Sequence, residues 1–395
     1  MEETIHVPDN PPSIEHILRP ISYISWLMGV GVAHPRRCPK VITIIIRIVH
    51  LAMYFYVLVN FIVIVRKISF NVLTIQILFS GSISSVISYV SGCYYIYYGI
   101  SQYNKWPELM DRMKKLDQKI RKEISMDDQP AKNFQAIAIL AVFAWFPLYP
   151  IICTLYTHLY SSPFSIKWWN VYIKAQSWVN SFVFDVVIYV LYCRFQTINK
   201  LIGQLDQLDA QQIAFQIRRI RELHNGICGH IIMINDIHGV HLLLSSMDCF
   251  AKVVTLLYQL YVCAMVYKCI IMTDIYLYSI YTLYVIQFGL MCWICTLACK
   301  EFQKTGTFLY NIDLNSKNLE RNCITKEVND FSIQLQQHRV AFTACDFFEV
   351  NNALFSRFFE VTITYLIILI QFTPKVGVHH FYLGRQILHR GITLL

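Results

Sequence analysis

The 395 residues are 55% hydrophobic and only 15% charged, where a water-soluble domain carries about 25% charged residues, so an ordinary soluble protein is excluded. A mean hydropathy of +0.43 with 25 Tyr and 25 Phe excludes disorder, which needs low hydrophobicity. The net charge of +9 does not indicate a nucleic-acid partner, because the basic residues lie in segments between long apolar runs, where membrane orientation accounts for them.

In chain order, residues 1–20 are polar and include Glu2, Glu3 and Glu15, so no secretory signal is expected. Apolar runs long enough to cross a hydrocarbon core about 30 Å thick predict spans over residues 48–65, 72–100, 134–160, 175–192, 240–267, 275–299 and 351–372. Asp185 interrupts the fourth span. Asp248 and Lys252 enter the fifth, where they face protein or reach toward the headgroups. Arg357 and Glu360 enter the seventh, either as an ion pair within the bundle or beside a water-filled path. Between spans two and three, Trp106, Leu109, Met110, Met113, Leu116, Ile120 and Ile124 recur at helical spacing, as do Ile198, Leu201, Ile202, Leu205, Leu208, Ile213, Ile217, Ile220 and Leu223 after span four. Such stripes need a partner. Either the membrane helices continue into the cytoplasm and pack together there, or the stripes bind a calmodulin-like protein or lipid.

On seven spans with the N-terminus inside, the inner segments hold 22 Lys and Arg and the outer segments 8. That bias predicts a cytoplasmic N-terminus and an external C-terminus. The sequence lacks internal repeats, which weakens a transporter built from inverted halves.

Chemistry has little foothold. Cys292, Cys295 and Cys299 are spaced like metal ligands but sit in an apolar helix, and His224, His230, His238 and His241 lack the carboxylates of a membrane metalloenzyme. There is no phosphate-cradling glycine loop, nucleophile elbow or HExxH motif, so neither an enzyme, a metal site nor a cofactor is expected. Asp111-Arg112-Met113 reads as a solvated helix face rather than the charged triplet of a G-protein-coupled receptor. In the last span Thr364, Ile368, Gln371 and Phe372 fall at i, i+4, i+7 and i+8, one helical stripe. Around a symmetry axis its apolar members would form a dewetting constriction beside a polar ring.

That span reads Thr364-Tyr365-Leu366-Ile367-Ile368-Leu369-Ile370-Gln371-Phe372, which resembles the TYhhhhhQF signature of the insect gustatory receptor family, with Thr364, Tyr365, Gln371 and Phe372 as its fixed positions. Phe342-Thr343-Ala344-Cys345-Asp346-Phe347-Phe348 is similar to that family's FTAxxFF stretch. Lys304-Thr305-Gly306 is similar to its turn after the sixth span, and His224-Asn225, Ile234-Asn235 and Arg19-Pro20 add shorter likenesses. The resemblance implies an all-α membrane protein of seven transmembrane helices with a cytoplasmic N-terminus and extended cytoplasmic helices, assembled as a tetramer of like subunits or of mixed relatives. It implies a plasma-membrane receptor of gustatory neurons, a non-selective channel for monovalent and divalent cations opened by a small tastant such as a sugar or bitter compound.

By the same likeness Ile368 and Phe372 constrict the pore, Gln371 projects into it and Thr364 shares the stripe. A ligand cavity is expected among Trp145, Tyr149, Tyr156, Trp178, Asn180, Tyr258, Tyr261, Tyr276, Tyr281, Tyr284 and Gln287, an aromatic box with a few amides. The receptor unit would be residues 1–372. Residues 373–395 depart from the family pattern as an atypical tail. A heptahelical receptor signalling through G proteins and a transporter without a gated pore remain alternatives.

Overall fold

The computed structural model describes residues 14–36, 38–65, 72–143, 164–205, 208–262, 272–315 and 321–371. They form helices α1 (Ile14–Leu27), α2 (Lys40–Val65), α3 (Val72–Ser101), α4 (Lys105–Arg121), α5 (129–143), α6 (Phe164–Gly203), α7 (Ala210–Val262), α8 (Met272–Asn315) and α9 (Arg321–Gln337), then a short antiparallel hairpin of β1 (Thr343–Ala344) and β2 (Phe348–Glu349), then α10 (Asn352–Gln371). The fold is all-α. The described parts of the seven predicted spans fall in α2, α3, α5, α6, α7, α8 and α10, residues 144–160 of the third and 263–267 of the fifth lying outside the described residues. Five of these helices, α2, α6, α7, α8 and α10, are long and apolar enough among the described residues to cross a membrane.

Helices of 40, 53 and 44 residues, α6, α7 and α8, are about 60, 80 and 66 Å long at 1.5 Å per residue, far more than a bilayer core requires. Their extra turns continue beyond it and pack together, as the striped inner segments require. Trp106, Leu109, Met110, Met113, Leu116 and Ile120 of α4 are buried, facing α7, whose Ile217, Ile220, Leu223 and Ile227 are buried as well. The second stripe is not one helix. Ile198, Leu201 and Ile202 belong to α6, which stops at Gly203, a poor helix former, and from Ile213 onward the stripe belongs to α7.

Polar groups lock this inner bundle. Buried Arg194 of α6 donates to both carboxylate oxygens of Asp117 in α4 at 2.9 and 3.0 Å and to Asp128, ahead of α5, at 2.9 Å. Arg121 also pairs with Asp128. Asn199 donates to the Glu301 carboxylate at 3.0 Å and accepts from the Thr305 hydroxyl at 2.7 Å. Lys304-Thr305-Gly306 is therefore no turn: α8 runs on to Asn315, Thr305 ties it to α6, and Gly306 lies beside Leu335 of α9.

Between α1 and α2 the chain turns back through Gly29 and Gly31, whose φ angles of +68° and +59° are the left-handed conformation that glycine adopts without steric cost. The turn is pinned by the Met28 carbonyl, which accepts from Tyr172 at 3.2 Å and Gln176 at 2.6 Å on α6. Side chains at Gly31 and Gly99 would overlap Asn180 and Arg47 respectively.

Candidate pore helix and buried polar cluster

The inner end of α10 is fixed before its outer part can be placed. Asn351 caps the helix by accepting from the Leu354 amide at 2.9 Å, and the Thr296 hydroxyl of α8 accepts from the Asn352 amide at 2.9 Å. The preceding hairpin turns at Cys345 and Asp346, φ 51° and 60°, a turn that twists with its strands at a cost of about 1–2 kcal/mol per non-glycine residue. Asn235 of α7 holds the strand before it, donating to the Ala341 carbonyl at 2.8 Å and accepting from the Thr343 amide at 3.3 Å. Two of the sequence likenesses, around Ile234-Asn235 and Phe342-Thr343-Ala344, thus meet as one joint at the base of α10.

Along α10 only Phe358 and Thr362 are buried. With Phe355, Tyr365 and Leu369 they form the face turned to its own chain. Phe288 of α8 packs on Phe355 and Phe358 at ring distances of 6.0 and 5.1 Å, and Phe250 of α7 packs edge-on against Phe358 and Tyr365 at 6.1 and 5.3 Å. At about 100° per residue, Arg357, Glu360, Thr364, Ile368 and Gln371 share a different arc, roughly opposite, and all five are exposed in the single chain. Every charged side chain of the helix lies on that arc with the predicted gate residues. Within the single chain Arg357 and Glu360 make no ion pair with each other. Phe372, Trp145, Tyr149, Tyr156 and the tail lie outside the described residues. Tyr276 and Tyr281 belong to α8, and their side chains lie outside them too.

Of the predicted ligand residues, the structure brings Trp178, Tyr284 and Gln287 together. Trp178 meets Tyr284 edge-on at 5.5 Å, and Gln287 donates to the fully buried Asp185 at 2.5 Å. The second oxygen of Asp185 has no partner among the described residues. Asn180 is not in this group: two residues on from Trp178, it points to another side of α6 and packs on Gly31. Tyr258 is buried and Tyr261 half-buried farther along α7. Sequence reasoning missed the centre of the cluster. Lys252 pairs with Asp248 one turn away on α7 and lies 3.8 Å from the Tyr284 ring centroid, and Ser88 of α3 donates to Asp248 at 2.8 Å. The signal was present as two opposite charges four residues apart inside an apolar run.

The histidines are packing groups. His241 contacts the Tyr95 hydroxyl at 3.0 Å and Ser181 at 3.4 Å, His238 meets Phe184 edge-on, and His224 sits among Phe195, Phe302 and Phe331. Cys292 and Cys295 are buried in the core. No group of three or more His, Cys, Asp or Glu that would hold a metal occurs among the described residues.

Long apolar helices whose few internal charges are buried, as Arg47, Asp185, Asp248 and Lys252 are, or gathered on one arc of the last helix define an integral membrane protein of the seven-helix class. The chain belongs to the 7tm chemosensory receptor family, whose pattern it matches over residues 18–375; these are receptors rather than enzymes. It is 33% identical over 78 residues to the putative gustatory receptor 28b of Drosophila melanogaster, a match covering 20% of this chain and spanning only 16% of that relative's length. In solved structures the insect olfactory receptor OR5 from Machilis hrabei in complex with eugenol shares the fold at a TM-score of 0.65 and 13% identity, covering 90% of this chain and 98% of that one. The structure of the same receptor described without eugenol gives 0.66 and 12%, covering 91% and 99%.

Proposed function

We propose that the protein is a gustatory receptor that works as a ligand-gated, non-selective cation channel. Four copies, alike or mixed with related receptors, would surround one aqueous path in the plasma membrane of gustatory neurons, each N-terminus in the cytoplasm. Residues 1–372 would form the receptor unit, with 373–395 as an appended tail. The observation that carries this reading is the division of α10 into two arcs. Its aromatic arc packs on α7 and α8, while Arg357, Glu360, Thr364, Ile368 and Gln371 face away from its own chain. Charged side chains are costly against lipid, and four such arcs turned to a common axis would surround them with water.

The tastant would bind beside Trp178, Tyr284 and the Asp248–Lys252 pair. On α8 Phe288 stands one turn from Tyr284, and on α7 Phe250 sits on the face opposite the Asp248–Lys252 pair, so the cluster and the two rings that grip α10 are carried by the same two helices. A ligand favouring a wider α7–α8 geometry would draw α10 outward and open the ring at Ile368 and Phe372, a population shift between closed and open states. The test is patch-clamp recording from transfected cells challenged with sugars and bitter compounds while G-protein signalling is blocked. Evoked currents that persist support the channel. A response abolished by the block, together with staining of an N-terminal tag on unpermeabilised cells, would favour a G-protein-coupled receptor, and binding with no current at all would favour a poreless transporter or scaffold.

A further inference from the structure

Where α1, the 28–39 connection and α4 meet, a cavity of about 230 Å³ opens to the surface, lined among others by His16, Arg19, Tyr23, His34, Arg36 and Trp106. Its charges are unevenly matched. Arg36 is held by Glu15 at 3.3 Å and by Asp111. Arg19 has no carboxylate partner among the described residues, and its guanidinium lies 5.6 Å from the Tyr23 ring centroid. Two further cations, Lys40 and Arg47, stand behind the wall. His34 stacks on Tyr103 at 4.1 Å, and Lys40 lies 5.7 Å from the centroid of that same ring. Arg47, 1% exposed, has no hydrogen-bond partner for any of its three guanidinium nitrogens. Burial holds His34 below the usual histidine range; its contact with the Val32 carbonyl opposes that shift, and the Arg47 charge adds to it. An anion is the missing partner of this corner.

Its level in the membrane says where an anion would come from. One residue past Lys40, α2 begins to expose apolar side chains at Val41, Ile42 and Ile45, and α1 exposes Tyr23 and Leu27 one and two turns beyond Arg19. The cavity therefore lies where apolar surface gives way to charge, at headgroup depth. Basic residues in such a place attract the anionic lipids of the cytoplasmic leaflet.

We propose that this cavity binds the phosphorylated headgroup of an anionic inner-leaflet lipid, with Arg19 as its first contact and Tyr23, Leu27 and the outer face of α2 receiving the acyl chains. The site rests on the cytoplasmic N-terminus proposed above but not on gating, so purified protein tests it separately from the channel reading.

The experiment measures binding of fluorescent short-chain phosphatidylinositol bisphosphate to the full chain in detergent, against phosphatidylcholine of equal chain length and soluble inositol trisphosphate. Arg19→Ala is expected to weaken the bisphosphate lipid about fivefold and Arg19→Glu more. Arg19→Lys should retain most of the affinity, and Arg218→Glu, at an exposed arginine of α7, should change nothing. Unaltered melting of the variants shows that the loss is local. Wild-type affinity in Arg19→Glu overturns the site, as does an equal loss in Arg218→Glu, which means diffuse charge attraction. Soluble inositol trisphosphate binding as tightly as the lipid overturns the membrane source.

Discussion

Arg194→Met removes the cation from a nearly dry cluster. The side chains of Arg194, Asp117 and Asp128 are 1%, 7% and 5% exposed. Removing one partner of a buried ion pair costs about 3–5 kcal/mol, because the other charge stays buried without compensation. Here the two carboxylates fare differently. Asp128 keeps Arg121, whereas Asp117 loses a bidentate partner, so the cost falls near the lower end, about 3 kcal/mol. At about 2 °C per kcal/mol, the low end for large chains, melting should drop by about 6 °C. Free Cys193 and Cys228 are buried in the same inner bundle, so their slow labelling by a thiol-reactive dye in detergent, read peptide by peptide after the exposed Cys323 and Cys345 have reacted, reports its opening. Adding Asp117→Asn should recover at least half of the loss, since a neutral amide tolerates the site better than an orphaned carboxylate. The reasoning fails if Arg194→Met melts within a degree or two of the parent, or if the second substitution deepens the damage.

Other outcomes follow from the membrane half. Ile368→Ala with Phe372→Ala should raise resting current in transfected cells, and an unchanged baseline at equal surface expression would remove both from the gate. Phe288→Leu keeps an apolar residue but loses ring contacts with Phe355 and Phe358, worth about 0.5–1.5 kcal/mol each; tastant-evoked current should fall while surface expression holds, and a normal response would place the coupling elsewhere. Gly99→Ala would drive a methyl into the Arg47 guanidinium and the Gly31 carbonyl. That overpacking costs about 1–3 kcal/mol, and a melting temperature equal to the parent's would show that the α1–α2 connection yields.

Period and length made the helices legible in the sequence. The apolar runs coincide with helices wherever they are described, and the stripe from Trp106 to Ile120 is buried residue for residue. What stayed hidden were joints made by contacts distant in sequence. Lys304-Thr305-Gly306 is expected as a turn only by its likeness to the family's turn after the sixth span, but α8 runs through it, and Thr305 donates to the Asn199 amide 106 residues away. Asn180 looked like part of an aromatic pocket from its place in a span, yet it packs on a glycine of the α1–α2 connection. Asp248 and Lys252 were visible as misplaced charges. That Ser88 and Tyr284 would join them from two other helices depends on a register that no local pattern encodes.

The distribution of buried polar groups also bears on which parts of the fold can move. α6 carries Arg194 and Asn199 in its inner turns and Asp185 within its span, Arg194 tied to α4 and the other two to α8. Displacing it would strand several desolvated polar groups at once, each a loss of about 1–3 kcal/mol or more. Among the described residues α10 shows no buried polar side chain tied to another helix beyond its first turn. Its contacts with its own chain there are rings and aliphatic side chains, and its one buried hydroxyl, Thr362, is satisfied within the helix by the Phe358 carbonyl at 2.7 Å. Apolar contacts can slide by a fraction of a turn without leaving a donor or acceptor unpaired, whereas a buried ion triad cannot. The helix that the proposed gating would move is thus the one whose polar side chains face outward, and the hairpin with its Asn235 clamp would set the point about which it turns.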